Sequence, residues 1–269
     1  MNLHYQKLGQ GPVLIILHGL YGSADNWITV ARKFASRFTV YLIDLRNHGR
    51  SPHSSEHSYP LMADDIDELV SYERIEKAYI LGHSMGGKVA MLYAAMHPRK
   101  ITGLIVVDIG PGGYANLNQY SSQVIGHLNI VNTMLSVDLS KFTIRTEIEN
   151  ELAKTIKDLN TRQFIMKNIE RRKDYSFAWK LNVDAISKSL PAMMGPIPLD
   201  KILGDKQLAD FPVLFIKGEY SNYISPDQVA LLLKYFPKAQ IKIVPGANHW
   251  VHSEQPGEFM KILDDFLPH

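Results

Sequence analysis

The stretch Gly82-His83-Ser84-Met85-Gly86 holds the residue types best suited to covalent chemistry. Before it, Ala78 to Leu81 is a short apolar run able to form a strand, and after it Val89, Ala90, Leu92, Tyr93 and Met96 recur at helical spacing. Strand therefore passes abruptly into helix, with Ser84 on the corner. So sharp a turn strains its central residue and brings two backbones together, which demands small residues two positions to either side. Gly82 and Gly86 stand there, with Gly87 behind them. The hydroxyl is thereby held at the carboxyl edge of a sheet and at the amino end of a helix, whose free N–H groups favour negative charge. A serine nucleophile needs that setting. The plainer alternative, a glycine-rich turn with an incidental serine, does not explain why strand and helix flank it so closely.

A nucleophilic serine needs a base, and the base must approach from elsewhere in the fold. His249, in Pro245-Gly246-Ala247-Asn248-His249-Trp250, follows the last strand and precedes the last helix, so it emerges on the same edge as Ser84. A tetrahedral oxyanion needs preorganised donors. The backbone N–H of Met85 is one, and the N–H of Leu20, in the loop His18-Gly19-Leu20-Tyr21-Gly22-Ser23, is the other, with Gly19 giving the backbone room. His18 reads as a support for that loop rather than as a second base. Three carboxylates compete to orient His249. Asp108 ends the strand after Ser84, Glu219 stands just past the next one in Lys217-Gly218-Glu219-Tyr220-Ser221, and Asp44 ends an earlier strand where it suits a loop anchor before His48-Gly49. Asp65, Asp67 and Glu68 read as the solvated face of a helix.

Elements of alternating type must position these groups. Leu3 to Leu8 and Pro12 to Leu17 read as a hairpin around Gly9-Gln10-Gly11, a helix capped by Ser23 runs to about Ser36, and Phe38 to Ile43 is the next strand. An acidic amphipathic helix spans Tyr59 to Arg74, and beyond the Ser84 helix comes the apolar strand Ile101 to Val107. From Gly112 to about Asp210 the pattern turns helical, over Gln119 to Leu135, Ile144 to Leu159, Thr161 to Arg171 and Tyr175 to Leu190. Structureless loops of that length are uncommon in compact domains, so the segment reads as a lid. Strand Phe211 to Ile216, helix Pro226 to Phe236, strand Ile241 to Val244 and helix Glu254 to Leu267 then restore the alternation. The rhythm predicts an α/β fold with a mostly parallel central sheet, helices on both faces, and function at the carboxyl ends of the strands. The expected organisation is a core over 1–111, an inserted helical cap over 112–210, and the rest of the core over 211–269.

The 269 residues, 45% of them hydrophobic, are enough for one large domain with an inserted lobe. A net charge of +2 with scattered charges argues against nucleic acid as the main partner. Without cysteine the chain has neither disulfides nor thiolate chemistry, and its 11 histidines include no H-E-x-x-H pair, so no metal site is expected. No apolar stretch is long enough to span a membrane and no export signal is visible, which predicts a cytoplasmic protein.

With these residues in order, the chain resembles the α/β-hydrolase superfamily over essentially its whole length. Gly82 to Gly86, His18-Gly19, Asp44 to Ser51 and Gly246 to Trp250 fall in the family's order and spacing. The strings DLRNHGRSP, VVDIGP and GANHWVHSEQP are most similar to YbfF-type esterases and related abhydrolase-domain proteins. The resemblance implies an esterase or acyl thioesterase with a helical cap over an apolar acyl pocket, no cofactor, and a small acyl ester or thioester as partner. Many relatives place the acid three residues after the glycine that ends the penultimate strand. Here that position is Ser221, which cannot serve, and the resemblance to the YbfF branch implies that Asp108 has taken the role. Epoxide hydrolysis and dehalogenation need a carboxylate at position 84. A C–C hydrolase or lyase on the same fold, or a non-catalytic ligand receptor, are the competing expectations. Phe164, Phe177, Trp179 and Met193 or Met194 are expected pocket residues, each against the alternative of packing within the cap. Lys167, Arg171, Arg172 and Lys173 form a basic cluster suited to the phosphates of a coenzyme A ester, or simply a solvated helix end.

Overall fold

A computed structural model of the chain describes residues 1–116, 119–120 and 122–269. The core opens with β1 (Tyr5–Leu8), β2 (Val13–Leu17), α1 (Ile28–Phe34), β3 (Thr39–Ile43), α2 (Tyr59–Tyr72), β4 (Ala78–His83), α3 (Met85–Met96) and β5 (Ile101–Val107). An insertion follows, made of β6 (Ala115–Asn116), β7 (Gln119–Tyr120), α4 (Ser122–Ser136), α5 (Arg145–Ala153), α6 (Leu159–Met166), β8 (Ile169–Arg171), β9 (Phe177–Trp179), α7 (Val183–Met193) and α8 (Leu199–Leu203). The core then resumes with β10 (Val213–Gly218), α9 (Pro226–Tyr235), β11 (Gln240–Val244), α10 (Val251–Glu254) and α11 (Pro256–Phe266).

Seven strands form one sheet in the order β1-β3-β2-β4-β5-β10-β11, and every pairing is parallel except β1 with β3. The expected β1–β2 hairpin is therefore corrected: β3 lies between the two strands. The reason is burial. Val40 to Ile43 are all but inaccessible and need a ladder on each side, whereas β1 is only half-buried and suits an edge. Alternation along the strands divides the core between two faces. Ile15, Leu17, Ile80 and Val106 pack with Met62 and Ile66 of α2 and Val89 of α3, while Leu14, Ile16, Leu81 and Val107 pack with Trp27, Phe34, Phe259 and Leu263. Among the described residues no helix is long and apolar enough to cross a membrane.

The insertion is less uniformly helical than its sequence pattern. The first expected helix begins at Ser122, Gln119–Tyr120 being a strand paired with Ala115–Asn116. The second ends at Ala153, and Asp158 caps a new helix by accepting from Thr161 N–H at 2.6 Å. The third and fourth give up Ile169–Arg171 and Phe177–Trp179 to an antiparallel ribbon. Its turn is built by Asp174, whose carboxylate accepts from Ser176 N–H at 3.1 Å, and by Tyr175 at φ 68°. The last core helix, expected over Glu254 to Leu267, is α11 at Pro256–Phe266, with the short α10 set off before it at Gln255-Pro256.

The reading of Asp65 as a solvated residue is likewise corrected. Asp65 is 1% exposed and takes a bidentate pair from Arg46, at 2.6 and 2.8 Å, because α2 turns that face toward the loop after β3. Asp67 remains half-buried, bound to Lys100 at 2.6 Å. Removing one partner of a buried ion pair strands the other charge, at a cost of about 3–5 kcal/mol. Asp65→Ala should lower the denaturant midpoint accordingly, and a melt within error of the parent would show that Arg46 finds water instead.

Candidate active site

Ser84 sits at φ 51°, ψ −118°, between the last residue of β4 and the first of α3. The turn leaves no space around it. A Cβ on Gly82 would lie 2.2 Å from the Gly86 carbonyl oxygen, and one on Gly86 would lie 2.4 Å from that of Leu17. Strain of this kind costs roughly 1–3 kcal/mol and persists only where neighbours enforce it. Here the Ser84 N–H donates to Val107 O at 3.0 Å, and the Ser84 carbonyl accepts from Gly87 and Lys88 N–H at 2.9 and 3.1 Å.

The structure brings His249 and Asp108 to this hydroxyl. Ser84 Oγ lies 3.0 Å from His249 Nε2, and His249 Nδ1 lies 2.8 Å from Asp108 Oδ2. In the tautomer this geometry favours, Nδ1–H donates to the carboxylate and Nε2 accepts from the serine. Asp108 is fully buried at the end of β5, itself at φ 52°. Its Oδ1 accepts from Gly218 N–H at 3.0 Å, and its Oδ2 also accepts from the Ser221 hydroxyl. Ser221, read from sequence as the place the acid had left, thus remains in the network as a donor to the acid. Glu219 turns away, accepting from Gly246 N–H at 2.8 Å on the surface. Asp44 anchors a loop, as its position suggested, by accepting from Ala24 and Arg50 N–H at 2.7 and 3.0 Å.

The buried histidines nearby are held neutral. His18 donates from Nδ1 to Gly19 O at 2.8 Å and accepts at Nε2 from Leu45 N–H at 3.0 Å, which engages both nitrogens, and burial lowers it to about 4. It supports the loop. His83 donates to the His249 carbonyl at 2.9 Å, fixing that loop, and burial holds it well below its usual range. His252 stacks on Trp27 at 4.1 Å and is lowered by burial to about 3. The Tyr223 ring stacks on His249 at 3.9 Å, and its hydroxyl meets His127 Nε2 at 3.1 Å. Sequence reasoning missed Tyr223 and His127, which no local pattern marks.

Gly19 carries Leu20 close to the serine: a Cβ there would lie 2.9 Å from His83 Nδ1 and 3.2 Å from Ser84 Cβ. Among the described residues neither Leu20 N–H nor Met85 N–H has a hydrogen-bond acceptor, and both residues border a pocket with Ser84. Two unpaired amides beside a hydroxyl are what a developing oxyanion requires.

Ser84 borders a cleft of about 740 Å³, lined by Phe164 among others, and a second pocket of about 20 Å³ lined by Met193 and Met194. Phe177 and Trp179 border neither and belong to the ribbon. The basic cluster is divided: Lys167 borders the cleft, while Arg171 stacks over Tyr175 and Phe177 at 5.2 and 5.7 Å. Lys88, 1% exposed, donates from Nζ to Gly112 O at 2.8 Å and to Gly195 O at 2.6 Å, and burial lowers it to about 7.

The family profile described as alpha/beta hydrolase fold matches residues 12–256. The chain is 34% identical to the sn-1-specific diacylglycerol lipase ABHD11 of Danio rerio over 275 aligned positions, 99% of this chain and 83% of that protein. It is 31% identical to Esterase YbfF of Escherichia coli over 94% of this chain and 92% of the relative. Among solved structures, a marine microorganism esterase shares 43% identity and superposes with a TM-score of 0.92, covering 98% of this chain and 99% of that one.

Asp108→Asn keeps the shape and stabilises the wrong histidine tautomer, a change that costs on the order of 10⁴ in a serine triad. The rate at which a fluorophosphonate labels Ser84 should fall on that scale, with Glu219→Gln near the parent; the reverse order would reassign the acid. Lys88 gives a separate expectation for stability. Its folded value, about 7, lies below the 10.5 of an unperturbed lysine, so between the two the unfolded chain holds the extra proton. The penalty is complete below pH 7 and fades as pH rises. Lys88→Met should therefore compare best with the parent near pH 6.5 and lose ground by pH 9.5 in paired urea melts.

Proposed function

Because this chain belongs to the α/β-hydrolase family, with relatives that bear esterase and lipase names, we propose that it is a serine hydrolase cleaving carboxylic esters or acyl thioesters through an acyl-serine. The observation that carries the proposal is the unbroken hydrogen-bonded line from Ser84 through His249 to buried Asp108, at 3.0 and 2.8 Å.

In this mechanism Ser84 Oγ attacks the acyl carbonyl as His249 Nε2 removes its proton. The electron pair moves onto the carbonyl oxygen, which the N–H groups of Leu20 and Met85 receive; each such donor is worth about 10²–10³ in turnover. Asp108 holds Nδ1–H and stabilises the imidazolium. Collapse expels an alkoxide or thiolate, which takes the proton from Nε2 and leaves the acyl group on Ser84. Water then attacks with His249 as base, the second intermediate collapses, Ser84 regains its proton and the acid departs. Every step uses groups of the chain and water, so the reaction requires no cofactor. The same reading treats 112–210 as a cap over the site, between core segments 1–111 and 211–269.

Ser84→Ala deletes one oxygen from a turn already shaped by its glycines, so folding should be unchanged. Incubation with a p-nitrophenyl ester should yield an acyl adduct by intact-mass measurement in the parent and none in the variant, with turnover lost. Retained turnover in Ser84→Ala would end the assignment, and ligand binding without any adduct in the parent would favour a receptor.

A further inference from the structure

Two cavities of very different size meet at Ser84. Leu20, His127 and Tyr223 border both, but His249 borders only the large one, of about 740 Å³, and Met85 only the small one, of about 20 Å³. The small pocket therefore has room for a short acyl group, while the large one has room for a far bulkier group.

The path of the proton assigns each cavity to one half of an ester. After the attack, Nε2 of His249 carries the proton and must deliver it to the departing oxygen or sulfur, so the leaving group occupies the cavity that His249 borders. The carbonyl oxygen faces the amides of Leu20 and Met85, and both of those residues edge the small pocket. With the leaving group in the large cleft, the small pocket is the other space bordering Ser84, and the acyl chain takes it. Resting on the ester or thioester reading above, we infer that the enzyme selects substrates with a short acyl group on a bulky alcohol or thiol. The large cleft mixes amides such as Asn160 and Gln163 with apolar Ile130, Phe164 and Trp250, which suits a bulky leaving group carrying both polar and apolar parts.

The small pocket is held at its size by its backbone walls. Tyr59 OH donates to Met193 O at 3.0 Å, and Tyr114 OH donates to Tyr223 O at 2.8 Å while accepting from Gly110 N–H at 3.0 Å. Lys88 ties α3 to Gly112, at the start of the insertion, and to Gly195, between α7 and α8. There the chain also pairs with itself, Tyr114 N–H to Met194 O at 2.8 Å and Ile197 N–H to Pro111 O at 3.0 Å. The flexible thioether chains of Met193 and Met194 are the parts of the wall free to give way.

The test is a two-way series of kcat/KM values. One arm varies the acyl group from acetate to octanoate on p-nitrophenol, and the other varies the leaving group of an acetyl donor between p-nitrophenol and coenzyme A, which distinguishes an alcohol from a thiol. The parent should lose about 10–100-fold or more between acetate and octanoate. Met194→Ala should compress that ratio about tenfold and leave the leaving-group ratio in place, and Phe164→Ala, on the large cleft, should do the reverse. Melting temperatures check that both variants fold. A parent that prefers octanoate, or an acyl ratio that responds to Phe164→Ala and not to Met194→Ala, would put the acyl chain in the large cleft and overturn the inference. If fluorophosphonate labels Ser84 while the acyl profile is flat, this inference fails alone; if Ser84 is never acylated, the ester reading fails with it.

Discussion

Between Gly82 and Gly86 two backbones pass so closely that neither position can accept one more carbon. That contact drives Ser84 to a positive φ and lifts its hydroxyl clear of the sheet edge. Nearly everything else at the site is arranged around the point so defined. β5, on one side of β4, ends in Asp108, and β2, on the other, ends in the loop bearing Leu20. The loop after β11, two strands beyond β5, reaches back with His249. Asp108 shares the positive φ of Ser84, so two members of the proposed triad are held in strained conformations by a rigid, largely parallel sheet.

Around His249 the protein gathers several imidazoles and keeps them uncharged. Burial lowers His18 and His127 to about 4 and His252 to about 3, and holds His83 well down. A cation among them would oppose the positive charge that the proposed mechanism builds on His249. Their neutrality leaves Asp108 as the charge facing that ring, with Gly218 N–H and the Ser221 hydroxyl holding the carboxylate in place.

The insertion is coupled to Ser84 through α3. Lys88, one helical turn beyond Ser84, reaches the start of the insertion at Gly112 and the turn after α7 at Gly195, so a charge desolvated at real cost fastens the insertion to α3. Gln228 assists without charge, accepting from Gly112 N–H at 2.9 Å.

The sequence by itself determined the local parts of this protein. The glycines flanking Ser84, the strand-to-helix changes, the loops carrying Leu20 and His249, and the role of Asp44 are all legible, because turn sterics and hydrophobic period act within a few residues. The tertiary structure decided what depends on which strands become neighbours. Asp108 and Glu219 both follow strands; β10 lies against β5, so Gly218 N–H and Ser221 close around Asp108 while Glu219 remains on the surface. Position of β3 between β1 and β2, burial of Asp65 against Arg46, and the approach of Tyr223 and His127 to His249 likewise join segments far apart in the chain. No local pattern encodes such contacts, since they are selected by the packing of whole elements rather than by the residues on either side.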